Sequence, residues 1–254
     1  MYAGMTRRAL THSMALYSFP VASTSKHVRR SALPVLKLAT GTDKNSTDGK
    51  RLREVFHLAL AQIGYALEAV DLPPMRAAAS LQHGEVDGEM LRSDEYISSR
   101  PFCIKVDFML SVASVGIYGR AQQFGKAPVD AAIAASSGVV YRRGVVACES
   151  RLAMLVPSSR TFAVATTRSG AAMVIAGRVD HLCELDATVA QWRLGVDESA
   201  RRALVRVGSL VPRLPLFPCL HRRHESLSVT LAAALRSLEA NGVLQGLVPK
   251  HSNK

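Results

Sequence analysis

No uninterrupted apolar run in this sequence approaches the roughly 20 residues that a membrane-spanning helix needs, although 48% of its 254 residues are hydrophobic. The four cysteines, Cys103, Cys148, Cys183 and Cys219, contain no Cys-x-x-Cys, and His221 and His224, three residues apart, have no third ligand beside them. No metal site is expected. Buried free thiols are the first expectation for the cysteines, and disulfides stay open to an exported chain. Aromatic residues make up only 6% of the chain, and its formal charge of +12 is spread along its length. That pattern argues against a nucleic-acid surface, which would cluster basic side chains or interleave them with stacking aromatics. Gly-x-Ser-x-Gly, a phosphate-cradling lysine loop and a dinucleotide glycine cluster are all missing, so the common hydrolase and nucleotide-binding classes have no support. No cofactor is implied.

Acidic residues are also absent before Asp43, while Arg7, Arg8, Lys26, Arg29 and Arg30 place five positive charges in residues 1–32. A basic start, a moderately apolar stretch from Ala9 to Val21 and the small residues Ala22-Ser23-Thr24-Ser25 follow the outline of an export signal. Thr11, His12 and Ser13 interrupt its apolar part, so retention in the cytoplasm is the alternative to export. Residues 1–32 are set aside as a leader or extension.

The clearest positive feature is an internal echo. Gly84-Glu85-Val86-Asp87 and Gly177-Arg178-Val179-Asp180 each follow an alanine-rich stretch and precede an apolar one. A helix, a glycine stop and a buried strand, used twice, account for both copies. Two similar α/β lobes with a cleft between them are the simplest architecture.

The surrounding pattern fills in that plan. Val35 to Thr40 reads as a strand, and Asp43 to Asp48 offers several helix caps in a row. Leu52, Val55, Phe56, Ala59, Leu60 and Ile63 then form one apolar stripe that ends at Gly64. In an open α/β sheet such a strand-to-helix loop sits beside a helix amino terminus, so Thr40 to Thr47 is expected to face the cleft. Tyr65 to Leu72 predicts a second strand and Met75 to Gln82 the next helix. In the other half, strands are predicted at Gly138 to Tyr141, Val164 to Thr166 and Asp180 to Leu185, with helices at Val145 to Leu155 and from Ser169 toward Gly177. Leu227, Leu231, Leu235 and Leu238 mark a final helix expected to pack on the first lobe.

The ordered series Arg51 to Phe56, Leu72 to Ala77, Gly84 to Glu89, Tyr141 to Gly144, Ala176 to Asp180 and His221 to His224 resembles the extracellular solute-binding proteins of family 3. The resemblance runs from about Leu33 to Leu247. It implies an α/β, two-lobed type II periplasmic-binding-protein-like fold with lobe 2 inserted in lobe 1. Lobe 1 would comprise 33–115 and 197–254, and lobe 2 would comprise 116–196. The crossings are expected near Val112 to Tyr118 and Gln191 to Arg201. The implied function is non-catalytic: a small polar solute, an amino acid or related carboxylate, is bound between the lobes of a periplasmic monomer and delivered to an ABC-type membrane permease.

Members that bind amino acids use a lobe-1 arginine on the α-carboxylate, because a guanidinium fork matches a carboxylate. Arg92 is favoured here, since the end of a strand positions it, with Arg100 as the alternative. An acidic residue in lobe 2 would hold the ammonium group, but the count lands on Leu185, flanked by Glu184 and Asp186; Glu89 is a candidate to compensate. Thr40, Tyr141, Arg143 and Gly144 complete the candidate ligand-binding set. Asp87 and Asp180 are expected to be structural. Two rival readings remain: a dehydratase of the cyclohexadienyl type on the same fold, with Glu89, Glu184 or His57 as acid or base, and an orphan sensory binding domain.

Overall fold

The computed structural model describes residues 33–121 and 128–245, so the leader expected in residues 1–32 lies outside the described residues. Among them no helix is long and apolar enough to cross a membrane. The chain opens with β1 (Val35–Thr40), α1 (Thr47–Gln62), β2 (Ala66–Asp71), α2 (Pro74–Gln82), β3 (Gly88–Ser93) and α3 (Asp94–Ser98). Of the caps on offer before α1, Ser46 is used: its hydroxyl accepts from the Gly49 amide at 3.0 Å. Strands β1, β2 and β3 are parallel, with β1 in the middle.

A short β4 (Cys103–Lys105) leads to the long β5 (Ser111–Arg120), and the pattern then repeats. The second half consists of α4 (Val129–Ala134), β6 (Val139–Arg142), α5 (Val146–Leu155), β7 (Thr161–Val164), α6 (Thr167–Ile175), β8 (His181–Leu185) and α7 (Asp186–Leu194). Here β6 is the middle strand of the parallel trio. The β7 strand ends where the sequence places its start, because Thr166 rather than Ser169 caps α6; the Thr166 hydroxyl accepts from the Ser169 amide. After α8 (Glu198–Ala203), the 18-residue β9 (Leu204–His221) runs back to the first half, and α9 (Glu225–Ala240) closes the chain against α1.

Strands β5 and β9 join the halves. They are antiparallel neighbours, and the sheet order is β2-β1-β3-β9-β5-β8-β6-β7 with β4 beside the far end of β9. Hydrogen bonding is therefore continuous from edge to edge, but the core is not. Two apolar clusters flank the strands of the first half: Leu38, Phe56 and Leu235 belong to one, and Ala77, Leu81 and Phe217 to the other. Two more flank the second half, one around Ile117, Val139 and Leu152 and one around Val140, Val174 and Leu182. The β5–β9 ladder shifts register between Ala113 and Val115 and twice more before Tyr118. Pro212 and Pro215 withhold two ladder donors from the same stretch. The segment Gln191–Arg201, where the sequence places the return crossing, holds the end of α7 and most of α8 instead, and the returning strand is β9.

The two Gly-x-Val-Asp turns are matched in detail. Gly84 and Gly177 both adopt φ of +72°, the left-handed conformation a glycine enters without steric cost. The Asp87 carboxylate accepts from the Lys37 amide at 2.8 Å, and that of Asp180 from the Ser137 amide at 2.7 Å. Asp87 thereby ties its turn to β1 and Asp180 ties its turn to the segment just before β6, the structural role expected for both. Arg223 pairs with Asp87 and Arg120 with Asp180, and each arginine also donates to carbonyls of the adjoining turn or helix.

Two of the expected thiols are not free: Cys148 on α5 and Cys183 on β8 form a disulfide, whereas Cys103 and Cys219 are buried free cysteines. Spacing alone carried no sign of this pairing, which arises because helix and strand pack face to face in the second half.

Candidate functional site

A cavity of about 510 Å³ lies between the halves, at the carboxyl ends of β1, β3, β6 and β8. Its floor is the junction of the long strands, Ser111, Val112 and Ala113 from β5 with Leu214 and Leu216 from β9. The first half contributes Thr40 to Asp43, Ser46, Asp48, Leu52, Leu91, Arg92, Ser93 and Tyr96; the second contributes Arg142, Gly144 to Ala147, Leu185, Thr188 and Gln191. Parallel strands deliver their carboxyl ends to one side, and the helices that follow them, α1, α5 and α7, begin there, so N–H groups and positive helix ends face the space.

Two arginines dominate its chemistry. Arg92 directs Nε and Nη2 to the two carboxylate oxygens of Glu89, at 2.8 and 2.5 Å. Arg142 directs Nε and Nη2 to Glu184, at 2.7 and 3.2 Å. The carboxylates are sealed in, 1% exposed for Glu89 and 0% for Glu184, while the arginine side chains reach the cavity at 15% and 14% exposed. Burial works against the charge on Arg92, but the hydrogen bonds and charge of Glu89 outweigh it and raise its pKa further above the usual range. Glu184 also accepts from the Thr167 hydroxyl and the Leu185 amide, at 2.8 and 2.9 Å. Tyr96 is buried between Arg92 and Arg100, whose guanidinium carbons stand 4.6 and 3.8 Å from its ring centre. Burial and the nearby Glu89 charge hold its phenol well above the ordinary range.

Contacts cross the mouth of the cavity. Gln191 donates to Asp43 at 3.0 Å, joining α7 to the loop before α1. Gly144, at φ +87°, lies so close to α2 that an added Cβ would meet Pro74 at 3.0 Å and Met75 at 3.2 Å. Behind the second half, Asp186 ties α7 to the long strands by accepting from Ser114, Tyr118 and Arg206. Burial opposes its charge, but these bonds, led by Arg206, keep its carboxyl below the usual range.

Of the residues singled out from the sequence, Thr40, Arg92 and Gly144 line the cavity. Glu89 and Glu184 stand behind it, each holding an arginine. Tyr141 lies within β6, beside Cys183 of β8. Arg143 is exposed, and its amide donates to the Val164 carbonyl. Arg100 is on the far side of the Tyr96 ring, next to an outer groove that also contains Lys105. Arg142, Tyr96 and Gln191 were not among the candidates, whereas Asp43 falls in the Thr40 to Thr47 stretch expected to face the cleft. Arg142 had a signal in its favour, since it ends β6 as Arg92 approaches the end of β3. His221 caps the turn before α9 by accepting from the Arg223 amide, and His224 adjoins Asp87. Among the described residues no three His, Cys, Asp or Glu side chains gather as a metal site.

No family model matches the sequence. An uncharacterized protein of Shewanella oneidensis is 22% identical over 213 residues, covering 84% of this chain and 80% of its own. Among solved structures, the amino acid ABC transporter substrate-binding protein AbpA from Streptococcus pneumoniae, bound to L-arginine, superposes with a TM-score of 0.63 at 15% identity, over 84% of this chain and 92% of its own. AncCDT-1, an ancestral amino acid-binding protein and precursor of cyclohexadienyl dehydratase, gives 0.62 at 16%, with the same coverage. A histidine kinase sensor domain similar to periplasmic binding proteins gives 0.63 at 14%, over 85% and 93%. These likenesses show the fold: a two-lobed, type II periplasmic-binding-protein-like α/β structure with the second lobe inserted in the first.

Proposed function

We propose that this chain binds a small polar solute in the interlobe cleft without chemical change, holds it by groups from both lobes and delivers it to an ABC-type permease. The carrying observation is the cavity of about 510 Å³, lined from both lobes and floored by the strands that join them. A solute contacted by both walls favours the state in which they are close. Amino acids and related carboxylates are the solute class of amino-acid size that the sequence resemblance implies. Residues 33–115 and 197–254 as lobe 1, with 116–196 as lobe 2, a monomeric state and a periplasmic location belong to the same proposal.

The dehydratase alternative draws on the likeness to AncCDT-1 and on carboxylates beside the cleft. Against it, both Glu89 and Glu184 are gripped by arginine forks, so neither stands free as a general acid or base. Turnover of prephenate by the purified protein would decide for the enzyme. The sensory alternative draws on the kinase-domain likeness, and recovery of the protein only in the cytosol on cell fractionation would support it over a transport role.

A thermal-shift screen with amino acids, their amides, dicarboxylates, aromatic acids and polyamines tests binding directly. A ligand present at a hundred times its dissociation constant adds about 2.7 kcal/mol of apparent stability. A clear rise in Tm with one compound class is expected. A flat response across all of them would count against solute binding.

A further inference from the structure

The charge of the cleft is already balanced before any solute enters. Arg92 and Arg142 approach the cavity from opposite lobes, and each spends Nε and one Nη2 hydrogen on a buried glutamate in the same side-on fork. A guanidinium has five N–H donors. The Nη1 group of each arginine makes no hydrogen bond among the described residues and is left for an occupant. The remaining charged side chains that line the cavity are acidic, Asp43 and Asp48. Its side chains therefore present donors from both walls but no full positive charge without a carboxylate partner, and the helix amino termini add only partial charges.

We propose that the solute carries no net charge and is held by two oxygen acceptors, one on the Arg92 side and one on the Arg142 side. This rests on the reading of the cleft as a solute site and narrows it. A carboxylate set on either arginine would share that guanidinium with a sealed-in glutamate, leaving two negative charges against one positive within the cleft. Burying an uncompensated charge is costly, whereas a carbonyl, amide or hydroxyl oxygen takes the same N–H bonds without that cost. Asp43 and Asp48 at the rim add repulsion toward anions and none toward neutral molecules. The buried glutamates thus act as selectivity elements: they fix the direction of the arginines and cancel their charge. Uncharged amides have the required chemistry outright, and a net-neutral zwitterion meets the same condition because its own ammonium offsets the carboxylate it brings.

Isothermal titration calorimetry on the full chain near neutral pH with matched pairs tests this: succinamide against succinate, and glutamine against glutamate. The neutral member of each pair should bind at least about tenfold tighter, with succinamide testing the uncharged source and glutamine the zwitterionic one. In the double variant Glu89→Gln/Glu184→Gln the arginines are unpaired, and the preference should invert, with succinate binding at least about tenfold tighter than succinamide. Tighter binding of succinate or glutamate by the unmodified protein overturns the inference, and that comparison stands whether or not the variant folds. Silence of a folded double variant toward succinate overturns it as well. In that case a hit elsewhere in the thermal-shift screen would leave solute binding intact, so failure of the charge argument and failure of the functional reading are told apart.

Discussion

Lobe 1 and lobe 2 follow one plan, with strand orders β2-β1-β3 and β7-β6-β8, a Gly-x-Val-Asp turn before the third strand and an arginine clamped over that turn. They differ in what holds each plan together. Lobe 1 packs α1 and α9 against one face of its strands, building a wide apolar cluster from Leu36 to Leu244. Lobe 2 has smaller clusters and adds the Cys148–Cys183 disulfide across one of them. The same contrast appears at the cleft: the hydrogen bonds to Glu89 come from Arg92, whereas Glu184 is shared by Arg142, Thr167 and the Leu185 amide. Where apolar packing is thinner, local covalent and polar links carry more of the structure.

That contrast is broken most forcefully at the arginines. Arg92→Ala removes both of the arginine hydrogen bonds that hold the buried Glu89 carboxylate and should cost about 3–5 kcal/mol in denaturant unfolding. Arg142→Ala should cost clearly less, because Glu184 retains two donors. Equal losses would show that the lobes are buttressed alike. Next in size, reduction or Cys148→Ser should remove about 3–4 kcal/mol, since the link closes a sequence separation of 35 residues. Cys219→Ser in lobe 1 should leave the response to reductant unchanged.

A smaller effect separates the two turns. Gly84→Ala and Gly177→Ala each force a side chain into the left-handed region, worth about 1–2 kcal/mol. Gly84→Ala should be the worse, because its Cβ would fall 2.5 Å from the Arg223 Nη1 that clamps Asp87, against 3.1 Å from Arg120 at Gly177. Guanidinium melts that rank them the other way would contradict the clamp.

The smallest effect is a pH slope. Burial, aided by Arg120 and opposed by Asp180, lowers the pKa of His181. The unfolded chain therefore takes up its proton first, and stability should decline as pH falls below about 6.5. His181→Gln should flatten that slope in part, since His221 in lobe 1 is also lowered, by slight burial and by Arg223. Asp87 acts later. Burial raises its pKa, but hydrogen bonds from the Lys37 amide, Arg223 and His224 outweigh it and leave the carboxyl below its usual range. Its contribution should hold above about pH 3.9 and be lost on further acidification, and Asp87→Asn should remove that loss.

Much of the fold was legible because its signals are local. Glycine stops, cap residues and the apolar stripe of α1 placed most elements within a residue or two, and the paired Gly-x-Val-Asp turns revealed the repeat. The return crossing was misplaced because β9 carries prolines at 212, 215 and 218, which break the pattern of an ordinary strand. The cleft was less legible for a different reason. Which of Arg142 and Arg143 turns inward depends on the pleat of β6, and the pairing of Arg92 with Glu89 depends on a bulge in β3 between Glu89 and Arg92. Neither leaves a mark in spacing. The disulfide was hidden because α5 and β8 are distant in sequence and meet only through packing.

The central claim is that both lobes close on one occupant. It is tested most directly by the distance between nitroxide labels at Lys50→Cys on α1 and Arg168→Cys on α6, exposed positions on opposite lobes. Measured by pulsed electron resonance, the distance distribution should narrow and shorten when the most stabilising compound of the thermal screen is added to saturation. The same distribution with and without bound solute would contradict the account.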